Sequence, residues 1–298
     1  MQLAPIVLFV YNRKWHTKKT VNALKKNLLA NKSELFIYSD GPKKIENFEE
    51  VQKVRQYIKT IKGFKKIKII EKKKNLGLAN SIILGVTEII NKYGKAIILE
   101  DDIVTSPLFL KFMNLALKHF KNKDRVWHIS GWSYPINLKN NDDVYFSRVM
   151  HCWGWATWSN KWKHFEKNTD KLINKFSKND ISKLNLDGYN NTFWKQVLLN
   201  KKNKINTWAI FWYTTIFKKN GLCLHPCRSF TKNVGFDGSG SHTFDLNYKD
   251  NIFLNLKKKI NFNIKIKENK KDILDIKNYL YASQKNIFLR LITKIFFR

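Results

Sequence analysis

Five short apolar runs, separated by stretches with helix-spaced apolar positions, constrain this chain more than any other feature. The runs are Ile6 to Tyr11, Leu35 to Tyr38, Ile67 to Ile70, Ala96 to Leu99 and Val126 to Ile129. Between them, Val21, Leu24 and Leu28 share one helical side, as do Phe48, Val51, Val54, Ile58 and Ile61. A third set is Leu78, Ile82, Val86 and Ile89, and Ser106-Pro107 suits the start of a fourth helix. Unbroken apolar runs without polar alternation suit strands covered on both faces. Strand and helix in this rotation predict an α/β fold, a Rossmann-like mostly parallel sheet with helices on both faces. Ligands of such sheets lie beyond the carboxyl ends of the strands, where strand order reverses. The residues that follow each run are therefore the ones to inspect: Asn12 and Arg13, Asp40, Asn75 to Gly77, and Glu100 to Asp102. All four groups are polar.

The rhythm stops in the second half. Residues 145–165 are dense in aromatics, and a polar Lys/Asn stretch covers about 166–191. An apolar helix is expected from about Trp208 to Phe217, ended by Asn220-Gly221. We expect a catalytic domain over 1–250, with a ligand-binding half at 1–132 and a smaller mixed half at 133–250. Residues 251–298 form a basic C-terminal extension. From about Ile273 to Phe297 it interleaves Leu, Ile and Phe with Lys and Arg. A helical tail of that kind can lie on an anionic membrane surface or pack on its own core. The chain carries 56 Lys+Arg against 23 Asp+Glu, a formal +33, which favours anionic partners without choosing among them. Three cysteines make no disulfide framework and favour a reducing compartment. The opening apolar stretch is too short to span a bilayer and reads as a core strand. Cys223, His225 and Cys227 alternate along a probable strand, which reads as buried rather than as a zinc site.

The fourth apolar run stops on Glu100-Asp101-Asp102. Adjacent carboxylates repel unless a cation or donors compensate them. If strand alternation continues, Glu100 and Asp102 share a side and Asp101 faces away. One or two carboxylates completed by substrate phosphates make a suitable Mg²⁺ or Mn²⁺ site. An acidic cap on the following helix is the simpler reading of the same residues.

The run Tyr93-Gly94-Lys95-Ala96-Ile97-Ile98-Leu99-Glu100-Asp101-Asp102-Ile103, with Asn75-Leu76-Gly77-Leu78-Ala79 upstream, resembles the GT-A-fold glycosyltransferases. It is most similar to bacterial family 2-like members with features of N-acetylglucosaminyltransferase I-type enzymes, over about residues 3–245. The resemblance implies transfer of a sugar from a nucleotide-sugar donor, with Mn²⁺ or Mg²⁺ as cofactor. It implies Asp102 as metal ligand, Glu100 as ribose contact and Asp101 beside the diphosphate. Tyr11, Asn12 and Arg13 resemble the family's first donor loop, Asp40 stands where an acid meets a uracil edge, and Asn75 and Gly77 resemble its Asn-x-Gly. Read singly, Arg13 could be a salt bridge, Asp40 a turn former and Gly77 a turn residue.

On the acceptor side, Trp153, Gly154 and Trp155 resemble the glycine-containing loop that borders the sugar, unless the tryptophans are core. The segment Gly235-Phe236-Asp237-Gly238-Ser239-Gly240-Ser241-His242 has the glycines of a mobile loop. By resemblance His242 is a further metal ligand; otherwise it is an exposed histidine on a capping loop. Relatives place a carboxylate beside a tryptophan as general base, but this chain reads Asn206-Thr207-Trp208-Ala209 there. Asp237 is the preferred substitute, with Asp187 second, and inversion is the expected outcome, a base-free retaining route being the alternative. The expected acceptor is a bacterial surface glycan or lipid-linked glycan, such as lipooligosaccharide or capsule, and the donor UDP-linked. The expected location is cytoplasmic, peripheral on the inner membrane face. A nucleotidyltransferase and a nucleic-acid-binding basic protein are the rival readings. No nucleic-acid recognition motif is present, so no specific nucleic acid is expected.

Overall fold

The computed structural model describes residues 2–136, 143–240 and 254–282. In chain order the first half contains β1 (Ile6–Val10), α1 (Lys14–Lys25), β2 (Glu34–Ser39), α2 (Phe48–Lys59), β3 (Lys66–Glu71), α3 (Leu78–Tyr93) and β4 (Lys95–Glu100). There follow β5 (Ile103–Thr105), α4 (Phe109–His119) and β6 (Val126–Ser130). The second half holds β7 (Val144–Ser147), β8 (Trp155–Trp158), α5 (Ser159–Trp162), α6 (Thr169–Lys175), α7 (Lys178–Leu184) and α8 (Thr192–Lys201). It continues with α9 (Ala209–Lys218), β9 (Leu222–Pro226) and β10 (Thr231–Asn233).

The main sheet has the order β3-β2-β1-β4-β8-β6-β9-β7. Strands β3, β2, β1 and β4 are parallel neighbours, and β6 pairs parallel with β9. Strand β8 runs antiparallel between β4 and β6, and β7 antiparallel on the β9 edge. The mostly parallel α/β sheet expected from the alternation is therefore observed. Strand order reverses beside β1, so the carboxyl ends of β1 and β4 flank the crevice where such sheets bind ligands. A second, two-stranded sheet pairs β5 with β10 in antiparallel register, Ile103 opposite Asn233.

Both faces of the sheet are covered. Leu8, Val21, Val54, Ile58, Leu99 and Phe112 belong to one core, built by α1, α2 and α4. Val7, Ile82, Val86, Ile98, Trp155 and Trp212 belong to the other, built by α3, α8 and α9. Strand β1 is buried along its whole length, as its unbroken apolar run predicts. Helix α3 approaches closely enough that a Cβ on Gly85 would lie 2.9 Å from the Phe9 ring.

Some expectations fail locally. Leu28 lies beyond the end of α1 and is exposed, and Phe48 opens α2 on the solvent side. The polar stretch at 166–191 is not structureless. It forms α6, capped by Asn168, and α7, whose Ser177 and Asp180 make a reciprocal capping box. Residues 254–282 pack on the body, and residues 270–282 are helical. Ile273 and Ile276 are buried with Trp132, Tyr145 and Val149, and Arg148 forks onto Glu268 with Nη2–Oε2 2.6 Å. The described part of the tail thus turns its apolar face to the protein's own core, and 283–298 lies outside the described residues. Cys223 and His225 are fully buried on β9, as read from the sequence. No helix among the described residues is long and apolar enough to cross a membrane.

Candidate active site

Strand β4 ends at Glu100, and Asp101 and Asp102 form a turn before β5. Strand alternation stops there, so the expectation that Asp101 faces away from Asp102 is corrected. Both acids meet one guanidinium. Arg13 Nη2 donates to Asp101 Oδ1 and, at 2.9 Å, to Asp102 Oδ2, while Nε donates to Asp101 Oδ2 at 3.2 Å. Arg13 follows β1 directly, so adjacent parallel strands deliver the cation and the acids to one place. Thr20 Oγ1 on α1 holds the Asp101 carbonyl at 2.7 Å.

The electrostatics are uneven. Burial, then Asp102 and Asp101, push the Glu100 carboxyl up to about 8, with Arg13 opposing. Burial pushes Asp101 up to about 6 against the pull of Arg13. Asp102 Oδ1 is buried and has no hydrogen-bond partner among the described residues. A buried carboxylate oxygen without a donor is costly, and a cation would satisfy it.

A second segment covers these acids. Val234 N donates to the Asp102 carbonyl at 2.9 Å, continuing the β5–β10 pairing. Gly235 lies so close that any Cβ there would run into Asp102 Oδ2. Beyond it, Asp237 Oδ2 sits 2.9 Å from His16 Nε2 on the first turn of α1, while Asp237 Oδ1 accepts from Ser239 N and Oγ. His16 is buried, and burial followed by the nearby Arg13 lowers its pKa. Asp237 is 45% exposed. Its burial would raise its pKa, but the Ser239 hydrogen bonds and His16 carry it below the usual carboxylate value. His242 lies outside the described residues. Among the described residues no group of three or more His, Cys, Asp or Glu side chains is arranged to hold a metal ion.

The other strand ends form one connected rim. Asp40 accepts from Gly41 N at 2.9 Å, Leu76 N at 2.9 Å and Gly77 N at 2.9 Å. Its carboxylate is buried and engaged with backbone on both oxygens, so Asp40 builds the loop from which the expected contact with a base edge would be made. Asn75 Nδ2 donates to the Gly41 carbonyl at 2.7 Å, and Gly77 takes φ +74° at the start of α3. A Cβ on Gly41 would lie 2.6 Å from the Lys74 backbone, so the two loops pack backbone to backbone. Tyr11 Oη donates to Asn47 at 3.1 Å and accepts from Lys43 N at 3.0 Å, joining the β1 and β2 loops. Asn12, between Tyr11 and Arg13, is partly exposed.

Arg55 on α2 was not singled out from the sequence. Its Nη2 donates to the Asp40 carbonyl at 3.2 Å and the Lys72 carbonyl at 2.7 Å, locking the β2 and β3 exits together. The signal existed: Arg55 is four residues after Val51, a charge on the buried stripe of its helix. His16 and Thr20 carried no comparable mark.

The acceptor-side expectation divides. Trp155 is 1% exposed and stacks on Trp208 at 5.1 Å and on His128 at 5.4 Å, so it is core and not a sugar contact. Gly154 is also buried, with φ +76° and its Cβ direction blocked by Thr231 and Leu99. Its role is close packing under β10. Trp153 is partly buried and meets the Phe236 ring at 5.5 Å, which leaves it beside the segment that covers the acids.

No protein-family profile matches the chain, and no curated protein matches it. Among solved structures it is similar to S. aureus TarS, with 13% identity over 43% of this chain and 21% of that one, and a TM-score of 0.32. It is similar to S. aureus TarS 1-349, with 9% identity over 77% of this chain and 59% of that one, and a TM-score of 0.42. A third is the Pyrobaculum calidifontis mannosyltransferase PcManGT in complex with GDP-Man and Mn²⁺, with 10% identity, coverage of 73% and 68%, and a TM-score of 0.41. The chain spans less than two thirds of the length of the first two. None of these similarities carries a residue's role across.

Proposed function

We propose that this chain is a metal-dependent glycosyltransferase of the GT-A type that uses a nucleotide-sugar donor. The observation that carries the reading is the acid run at the exit of β4, with a buried Asp102 oxygen that no donor among the described residues satisfies. It sits at the reversal of strand order, where α/β sheets take nucleotides. Asp102 would hold Mn²⁺ or Mg²⁺, with Glu100 beside it. One or two carboxylates with phosphate oxygens completing the shell is the arrangement such ions favour. When bound, the ion offsets charge building on the departing diphosphate.

The chain's own residues supply the rest. Arg13 fixes the orientation of Asp101 and Asp102 through its planar fork. The loop built by Asp40, Asn75 and Gly77 leads into α3, which carries no side-chain cap, and a helix N-terminus suits an anionic donor. Asp237 is our candidate general base for inversion: an exposed carboxylate, ionised at neutral pH, held in place by His16 and Ser239. Trp153 is the remaining candidate acceptor contact. The finer reading is a UDP-linked donor and a bacterial surface or lipid-linked glycan acceptor, at the inner membrane face.

A thermal-shift panel of nucleoside diphosphates with and without Mn²⁺ tests the reading. A rise confined to one base and dependent on metal supports it. Equal response to every nucleotide, with or without metal, contradicts it.

A further inference from the structure

The exits of β1, β2 and β3 carry an unusual mixture. Trp15 is 54% exposed, Ile45 82%, Phe48 51% and Leu78 44%. All four lie just after a parallel strand, on the same side of the sheet as the acids. The loops that bear them are joined: Tyr11 bonds to Lys43 N and Asn47, and Asp40 and Gly41 bond to residues 75–77. Interleaved with them are the exposed Lys14, Lys19, Lys43, Lys44, Lys73 and Lys74. Among the described residues none of these six ammonium groups has a carboxylate partner. Lys19 instead sits over the Trp15 ring, 3.6 Å from its centroid. Of the nearby acids, Glu49 and Glu50 are both paired with Lys53, and Glu46 is exposed between Ile45 and Phe48, one carboxylate against the six lysines.

From this we infer that the rim around the acid-bearing crevice docks on an anionic lipid bilayer, its apolar side chains inserted and its lysines at the headgroups. Single exposed apolar residues are ordinary, but large ones gathered on one basic rim mark an interaction surface. Trp and Phe flanked by lysine suit the water–hydrocarbon boundary, and the lysines supply attraction to anionic lipid. A second copy of the chain would set two positive rims against each other. Single-stranded nucleic acid could stack on Trp15 and Phe48, but it offers nothing to Ile45 and Leu78, which acyl chains would receive. The inference does not depend on the proposed reaction. If both hold, the crevice opens toward the membrane, and an acceptor carried on lipid reaches it laterally.

The test is co-sedimentation of the full chain with phosphatidylcholine vesicles, with and without phosphatidylglycerol. We expect binding to the anionic vesicles and at least about tenfold weaker binding to the neutral ones. A W15S/I45S/F48S variant should lose at least about tenfold in anionic-vesicle affinity with its thermal midpoint unchanged, since all three side chains are exposed. Three results overturn the inference: no binding by the wild type, wild-type binding by the variant, or tighter binding to single-stranded RNA that the same variant loses.

Discussion

At the scale of single residues the site is a balance of charge around Asp102. Arg13 neutralises part of the run, and one Asp102 oxygen is left for a cation. Replacing Arg13 by Ala removes the partner of two buried carboxylates, a change that typically costs about 3–5 kcal/mol. Denaturant unfolding of R13A should show a loss of that order, and added Mn²⁺ should restore part of it. Gly235 makes a stricter demand. An added methyl meets Asp102 Oδ2, so G235A must displace either the carboxylate or the β10 extension. Displacement of about an ångström at a reacting centre costs about a hundredfold in rate. We expect kcat/KM for G235A to fall by about that factor with little change in thermal midpoint. Activity within about twofold of wild type would separate the 231–237 segment from the site. The type of these residues was readable in the sequence, but their partners were not. Asp40 and Asp102 are both acids at strand ends; only the neighbouring loop, which gives Asp40 backbone donors and leaves Asp102 Oδ1 none, distinguishes them.

At the scale of elements, the parallel half of the sheet was legible because β1, β2 and β4 bury both faces and therefore carry apolar runs, while the edge strand β3 keeps Ile67, Ile69 and Ile70 between charged residues. Strand β8 was hidden because its slot between β4 and β6 depends on pairing partners distant in sequence. Trp155 is buried in the core through that placement, while Trp153, two residues earlier and before the strand, is only partly buried against it. W155A should therefore destabilise the fold by about 3–5 kcal/mol in chemical denaturation. W153A, which removes a side chain only partly buried against the core, should cost less stability than W155A and raise the KM for acceptor. Strands β6 and β9 add a pH dependence. Burial, followed by His225, pushes His128 down to about 3, and burial pushes His225 down to about 4. Both are neutral in the folded protein and protonate near 6.5 when unfolded, so the unfolded state binds more protons below that value. The contribution of these two histidines should be full above about pH 6.5 and fall progressively toward about pH 4, while Glu100 and Asp101, raised above the usual carboxylate range, add a slope of opposite sign. The difference in thermal midpoint between H128Q and wild type should therefore change with pH below about 6.5; a difference constant across this range would contradict the neutral, buried assignment.

At the scale of the molecule, three features share one end of the sheet: the acid run, the loop at the start of α3, and the basic apolar rim. The +33 charge pointed to anionic partners but not to where they bind, because lysine is spread along the whole sequence. Exposure and pairing in the folded chain are what pick out the rim. In the described part of the tail, Ile273 and Ile276 are buried against the body, and the rest of the expected membrane segment lies outside the described residues. The central claim is that Asp102 joins a divalent ion to a nucleoside diphosphate. Isothermal titration of the nucleotide selected by the panel, into wild type and D102A, with Mn²⁺ and with chelator, addresses it most directly. The account predicts binding to the wild type only with Mn²⁺, and loss of at least about tenfold in D102A, the weakening expected when a first contact to the ion is removed. Undiminished wild-type binding under chelation, or equal affinity of the two proteins with Mn²⁺, would contradict it.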